Sequence, residues 1–191
     1  MKRDWLPLLL LPALGVAAFP FVGSASSWMT LTVAGLAMGL GSGRAALMHP
    51  ELLETFLLPV RPPLLFANLG AVQLRRGLGP ADAERLVDIM AADALFLHLN
   101  PIQEAVQPEG DTEFGRLLEP IAAVVERLRP RPVVVKEVGF GLSPEDVAEL
   151  LSTGIAGLDV SGAGGTNWAL IEGQRDPAAG EIARAFADWG W

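Results

Sequence analysis

Cysteine is absent from the 191 residues, which excludes disulfide scaffolds, thiolate metal sites and a cysteine nucleophile. Histidine is nearly absent: His49 and His98 are the only two, too few for a multi-histidine metal centre. Basic residues are the minority, 14 Lys and Arg against 22 Asp and Glu, for a formal charge of −8. That balance argues against a general nucleic-acid binder, whose affinity comes mostly from neutralising phosphates. A small anionic ligand is still allowed, because it needs only a local cluster of donors. The G-x-G-x-x-G order of a dinucleotide fold does not occur. No short period organises the 21 Gly and 15 Pro, so they read as many turns, not as low complexity. The length suits one domain whose core needs no covalent staples.

The first 34 residues stand apart from the rest. Lys2 and Arg3 precede an apolar run ending at Val22, and small residues follow at Gly23 to Ser26, the outline of a secretory signal. Asp4 spoils the basic start. A spanning helix needs about 20 apolar residues, and Pro7, Pro12 and Pro20 interrupt this shorter run. The favoured reading of residues 1–34 is an atypical apolar strand and loop, or a damaged start, of the domain that occupies 35–191.

From Gly35 the chain is rhythmic. Five apolar runs end in Gly or polar residues: Gly35–Ser42, Leu64–Gly70, Ala94–Asn100, Pro132–Gly139 and Ala156–Gly165. Continuous apolar runs bounded by turn residues suit strands buried on both faces. Helical patterns lie between them. Phe114, Leu117, Leu118, Ile121, Val125 and Leu128 recur at spacings of three and four. Another pattern starts at Pro80. A third has Ser143 as N-cap, Pro144 at the first helical position and Gly154 as its stop. This alternation predicts parallel βα units. The polar residues gather at the ends of the runs, where a parallel sheet or barrel builds its site. A (β/α)₈ TIM barrel takes eight units; here five good units, a doubtful leading one and a trailing helix from Glu181 predict an incomplete barrel of five to six.

Three strings carry chemistry. His98, Asn100, Gln103 and Glu104 follow one apolar run and supply an imidazole, two amides and a carboxylate within seven positions. Such a set could bind an anionic head group, orient an alkene and hold a hard cation; the plain alternative is a polar loop in which Asn100 and Gln103 cap backbone groups. Lys136 lies inside an apolar run and needs a partner or a phosphate-bearing cofactor, since an unpaired buried charge costs several kcal/mol. The plain alternative is a salt bridge with Glu137 or Asp159, and alternation puts Glu137 on the opposite face, against that particular pairing. The glycine-rich turn Gly162–Thr166 and Arg44 at a loop-to-helix junction are weaker signals, each with an ordinary surface reading. His49 reads as a solvated loop residue.

Taken together, GLAMGLGSGRAAL, LLFANLGAVQL, DALFLHLNPIQEAVQPEGDT, VVVKEVGFGLS and LDVSGAGGTNW resemble the type 2, flavin-dependent isopentenyl-diphosphate isomerases. The strings fall in family order between about Gly35 and Trp189. The resemblance implies a (β/α)₈ barrel with bound FMN and Mg²⁺, NAD(P)H or another reductant as primer, a homo-oligomer, and a cytoplasmic, isoprenoid-biosynthetic role. It implies interconversion of isopentenyl and dimethylallyl diphosphate, a 1,3-proton shift without net redox change. It places Gln103 near the double bond and Glu104 on Mg²⁺ with the diphosphate. His98, Asn100 and Arg44 line the substrate pocket, and Ser42, Asn68, Lys136, Ser161 and Thr166 hold FMN.

The family's GSQR is here GSGR, with Gly43 in place of an amide. An SMTGG-like flavin loop is only hinted at by Ser26–Thr32, where Ser27, Met29 and Thr30 read as a remnant, and FADWGW ends where the family continues. The expectation is therefore the middle half of the enzyme, binding FMN poorly and isomerising slowly or not at all. The rivals are another FMN-dependent TIM-barrel oxidoreductase, such as a hydroxy-acid oxidase, and a non-catalytic fragment.

Overall fold

A computed structural model describes residues 37–160 and 166–189. The expectations for residues 1–34, and for Ser161 and the glycines that follow it, lie outside the described residues. Strand β1 (Ala37–Gly39) leads into helix α1 (Arg44–Met48) and a 3₁₀ turn at Pro50–Phe56. β2 (Leu64–Gly70), a 3₁₀ turn at Ala71–Arg75 and α2 (Pro80–Ile89) follow, then β3 (Ala94–His98), α3 (Pro101–Val106) and α4 (Leu118–Leu128). The remainder is β4 (Val133–Lys136), α5 (Pro144–Ser152), β5 (Gly157–Asp159), α6 (Trp168–Arg175), a 3₁₀ turn at Pro177–Ala179 and α7 (Gly180–Ala185). The five strands form one curled parallel sheet in sequence order, β1-β2-β3-β4-β5. All five apolar runs became strands, as the alternation predicted.

Side-chain alternation sorts the sheet into two surfaces. Leu65, Ala67 and Leu69 of β2, Leu95 and Leu97 of β3, and Val133 and Val135 of β4 pack with Leu86 and Val87 of α2 and Ile121, Val124, Val125 and Leu128 of α4. A fully buried leucine or valine of this kind is worth about 1.5–3 kcal/mol over an exposed one, so this surface carries most of the fold's stability. The other surface bears Phe66 and Asn68, Phe96 and His98, and Val134 and Lys136. Only β2 is buried along both faces; β3 and β4 alternate between buried and half-buried. Burial on both faces therefore fails for β3 and β4, because the helices that pack on them cover one surface, and for the edge strands β1 and β5, which hold no buried residue.

Local chemistry sets the helix ends. Ser143 Oγ accepts from Asp146 N at 3.1 Å while Asp146 Oδ2 accepts from Ser143 N at 3.1 Å, a reciprocal capping box. α5 ends at Ser152, two residues before Gly154, whose φ is +83°. Asn167 caps α6 by accepting from Leu170 N at 3.0 Å and donates to the Phe186 carbonyl at 2.8 Å, tying α6 to the end of α7. One boundary differs from the sequence pattern. Phe114 and Leu117 have helical spacing, but α4 starts at Leu118, because Arg116 takes φ +57° and breaks the run. Phe114 still packs on the core from the loop. Among the described residues no helix is long and apolar enough to cross a membrane.

Candidate functional site

The polar residues gather where the strands end. In register, His98 lies beside Gly70 of β2 and Lys136 of β4, and Lys136 beside Asp159 of β5. Asn68, two residues before the end of β2, has its side chain on the same surface as His98 and Lys136. Asn68 Nδ2 donates to the Leu40 carbonyl at 3.0 Å, which turns Oδ1 toward His98 Nδ1, 2.8 Å away. An amide oxygen can only accept, so Nδ1 carries the proton and Nε2 is the ring's acceptor. Burial, reinforced by the Lys136 charge, lowers the His98 pKa to about 4, so the ring is neutral at pH 7.

Lys136 Nζ donates to the Glu137 carbonyl at 3.1 Å, using one of three N–H groups. Burial pulls its pKa down, opposed by the charges of Asp159 and Glu137. The Glu137 carboxylate turns away, as alternation requires: it is buried, and Oε2 accepts the backbone N–H groups of Gly139, Phe140 (2.7 Å) and Gly141 (3.1 Å). This fixes the loop after β4 and seats Phe140 against Val106, Ala169 and Ala183.

Past His98 the chain turns into α3, whose Pro101 start leaves Asn100 at the N-cap. Asn100 is buried; its Nδ2 donates to Glu104 Oε1 at 2.8 Å and Gln103 Oε1 at 3.2 Å, and its Oδ1 is buried without a partner. The Asp111 backbone N–H donates to Glu104 Oε2 at 2.7 Å. Gln103 Nε2 and Gln107 Nε2 both donate to Glu172 Oε1, at 2.9 and 2.7 Å, and Arg175 pairs with Glu172 Oε2. Burial pushes the Glu172 carboxyl up, but these three donors together hold it below its ordinary value.

The structure thus brings His98, Asn68 and Lys136 together, and Asn100, Gln103 and Glu104 into one bonded set on the segment that leaves His98. Arg44 begins α1 with its side chain half exposed, 3.7 Å from Asp111 Oδ2. Ser42 and Thr166 are exposed. His49 is exposed beside Glu51, as expected of a loop residue. Sequence reasoning passed over Asp111 and Glu172, both buried, and Gln73 and Arg76, which hold Asp111 at 3.0 and 2.8 Å. The one signal was position: Asp111 lies within the dense polar string that starts at His98. Among the described residues no three His, Asp or Glu side chains converge as a ready-made metal site.

Comparison with known proteins adds an independent finding. No family model matches the chain. Proteins named isopentenyl-diphosphate delta-isomerase do. One from a Synechococcus sp. is 54% identical over 159 residues, covering 81% of this chain and 45% of its own length. One from a Synechocystis sp. is 51% identical over 82% of this chain and 46% of its own length, and one from Rickettsia bellii is 47% identical over 82% and 47%. The chain spans about half the length of the curated relatives it matches.

Proposed function

We propose that this chain carries part of the active site of an isopentenyl-diphosphate delta-isomerase of the flavin-dependent, type 2 kind, whose closed form is a (β/α)₈ barrel. The observation that carries the reading is the junction at the end of β3, where neutral His98 meets Lys136 and leads directly into the bonded set Asn100, Gln103 and Glu104. The relatives' printed names support the reaction. The flavin and metal assignments rest on the resemblance and on the chemistry of the side chains.

Glu104 suits Mg²⁺. A hard cation that keeps several waters and takes diphosphate oxygens needs only one or two protein carboxylates, and here one carboxylate is oriented through both oxygens. Lys136 suits a flavin, since a half-buried ammonium favours negative charge on a reduced ring. Ser42, Asn68, Lys136, Ser161 and Thr166 would hold FMN. His98, Asn100, Gln103 and Arg44 would line the substrate pocket. Reduced FMN, when bound, supplies the acid/base chemistry of the 1,3-proton shift, and NAD(P)H or another reductant keeps it reduced.

The chain's own residues have narrower tasks. Asn100 and Glu172 fix the Gln103 amide from both sides, so its orientation at an alkene is set before substrate arrives. Asn68 fixes the His98 tautomer and directs the Nε2 acceptor away from itself. The test is a titration with FMN followed by flavin fluorescence, then incubation with isopentenyl diphosphate, Mg²⁺ and either reduced or oxidised FMN. Dimethylallyl diphosphate formed only with reduced FMN is the expected result. Equal product with oxidised FMN or without flavin would contradict the type 2 reading.

A further inference from the structure

Asp111 sits at the meeting point of four segments. Its Oδ1 pairs with Arg76 Nε at 2.8 Å and its Oδ2 accepts from Gln73 Nε2 at 3.0 Å. Its Oδ2 also faces Arg44 Nη1 at 3.7 Å, and its backbone N–H holds Glu104 Oε2. The loop is pressed onto α3 here: a Cβ on Gly110 would lie 1.8 Å from the Glu104 carbonyl oxygen, so only glycine fits. A carboxylate 7% exposed needs compensation. Gln73 and Arg76 give it at hydrogen-bond distance. Arg44 at 3.7 Å is an ion pair without a hydrogen bond. The two arginine side chains are about equally exposed, 53% and 49%, so distance to Asp111, not exposure, separates them.

We propose that Asp111 is a positioning residue that divides the work of two arginines: Arg76 is its permanent counterion, and Arg44 is a loosely tethered cation that turns to a diphosphate held beside Glu104. The identity of the anion rests on the functional reading above. The electrostatics requires the division. A diphosphate arriving near Glu104 adds negative charge beside Asp111, and a buried carboxylate stripped of its cation at that moment would oppose binding. With Arg76 retained, Arg44 leaves at little cost. The Glu104 contact uses the Asp111 backbone, so it persists whatever the Asp111 side chain does.

The experiment is an NMR titration of the ¹⁵N-labelled chain with inorganic pyrophosphate and Mg²⁺, following arginine Nε–Hε signals assigned through Arg44→Lys and Arg76→Lys. The Arg44 signal should shift saturably while the Arg76 signal stays in place. Asp111→Asn should move Arg76 toward the position of an exposed arginine and let both signals respond. Arg76→Gln, folded by its thermal melt, provides a second arm. It leaves Arg44 as the only arginine at Asp111, and pyrophosphate should bind roughly tenfold more weakly, although Arg76 never touches the ligand. Arg76 shifting in step with Arg44 in the unmodified chain overturns the division, as does an Arg76→Gln variant that binds with unchanged affinity. In both cases the functional reading is untouched. Pyrophosphate that moves neither arginine overturns both.

Discussion

His98 donates its Nδ1 proton to the Asn68 side-chain oxygen, 2.8 Å away, and Asn68 is in turn held by the Leu40 carbonyl. The relay reaches from the end of β3 through β2 to the residue that follows β1, so one side chain reports on three strands.

The first expectation is a pH dependence of stability. The His98 pKa is about 4 folded against 6.5 unfolded. Between those values the unfolded chain binds more protons, so stability is full above pH 6.5 and falls as the pH drops toward 4, by roughly 3 kcal/mol in all. Urea melts from pH 4 to 8 should show this slope, and His98→Gln should flatten it. Imidazole ¹⁵N shifts should report one neutral, Nδ1-protonated ring from pH 6 to 8.

A second concerns Gly43, where the resembling family carries a glutamine. A Cβ at this position would lie 2.5 Å from Leu86 Cδ1 and 3.0 Å from Met90 Cε, both buried under α1. Gly43→Gln should therefore destabilise the fold by about 1–3 kcal/mol through overpacking. A chemical melt unchanged from that of the parent chain would mean that α2 yields easily here.

Most of the sheet was legible because burial is periodic. The five runs named their strands, and Ser143, Pro144 and Gly154 named both ends of α5. Residues joined by distant parts of the chain were not legible. Glu172 meets Gln103 across 69 positions and Asp111 meets Gln73 across 38. Nothing in the local sequence marks either acid as buried, and only the packing of α3 against α6, and of the loop after α3 against the turn after β2, buries them. The same limit holds for every strand but β2: an apolar run does not say on how many sides a strand is covered.

Lys136→Met should separate stability from function. Removing the half-buried ammonium relieves its desolvation but strips Asp159 and Glu137 of an attracting charge, so the variant's stability should stay within about 1 kcal/mol of the parent's. The flavin should bind it at least tenfold more weakly. Fluorescence titration with FMN checks the second statement; undiminished affinity would remove Lys136 from the cofactor site.

For Glu104→Gln the geometry gives a specific local cost. Both carboxylate oxygens accept, one from Asn100 and one from the Asp111 backbone, so an amide NH₂ must face a donor. The expected loss is about 1–2 kcal/mol of stability, with Mg²⁺ affinity and turnover weakened together. Mn²⁺ binding followed by electron paramagnetic resonance in the presence of pyrophosphate is the check. Binding as tight as in the parent chain would remove Glu104 from the metal site.

The most direct test of the central claim is proton exchange at carbon. Isopentenyl diphosphate is incubated in D₂O with the chain, Mg²⁺ and reduced FMN, and the products are followed by NMR. The account predicts deuterium entering dimethylallyl diphosphate, dependent on reduced flavin and lost in Gln103→Ala while the fold is retained. Deuterated product formed at an unchanged rate in Gln103→Ala, or formed equally well with oxidised flavin, would contradict it.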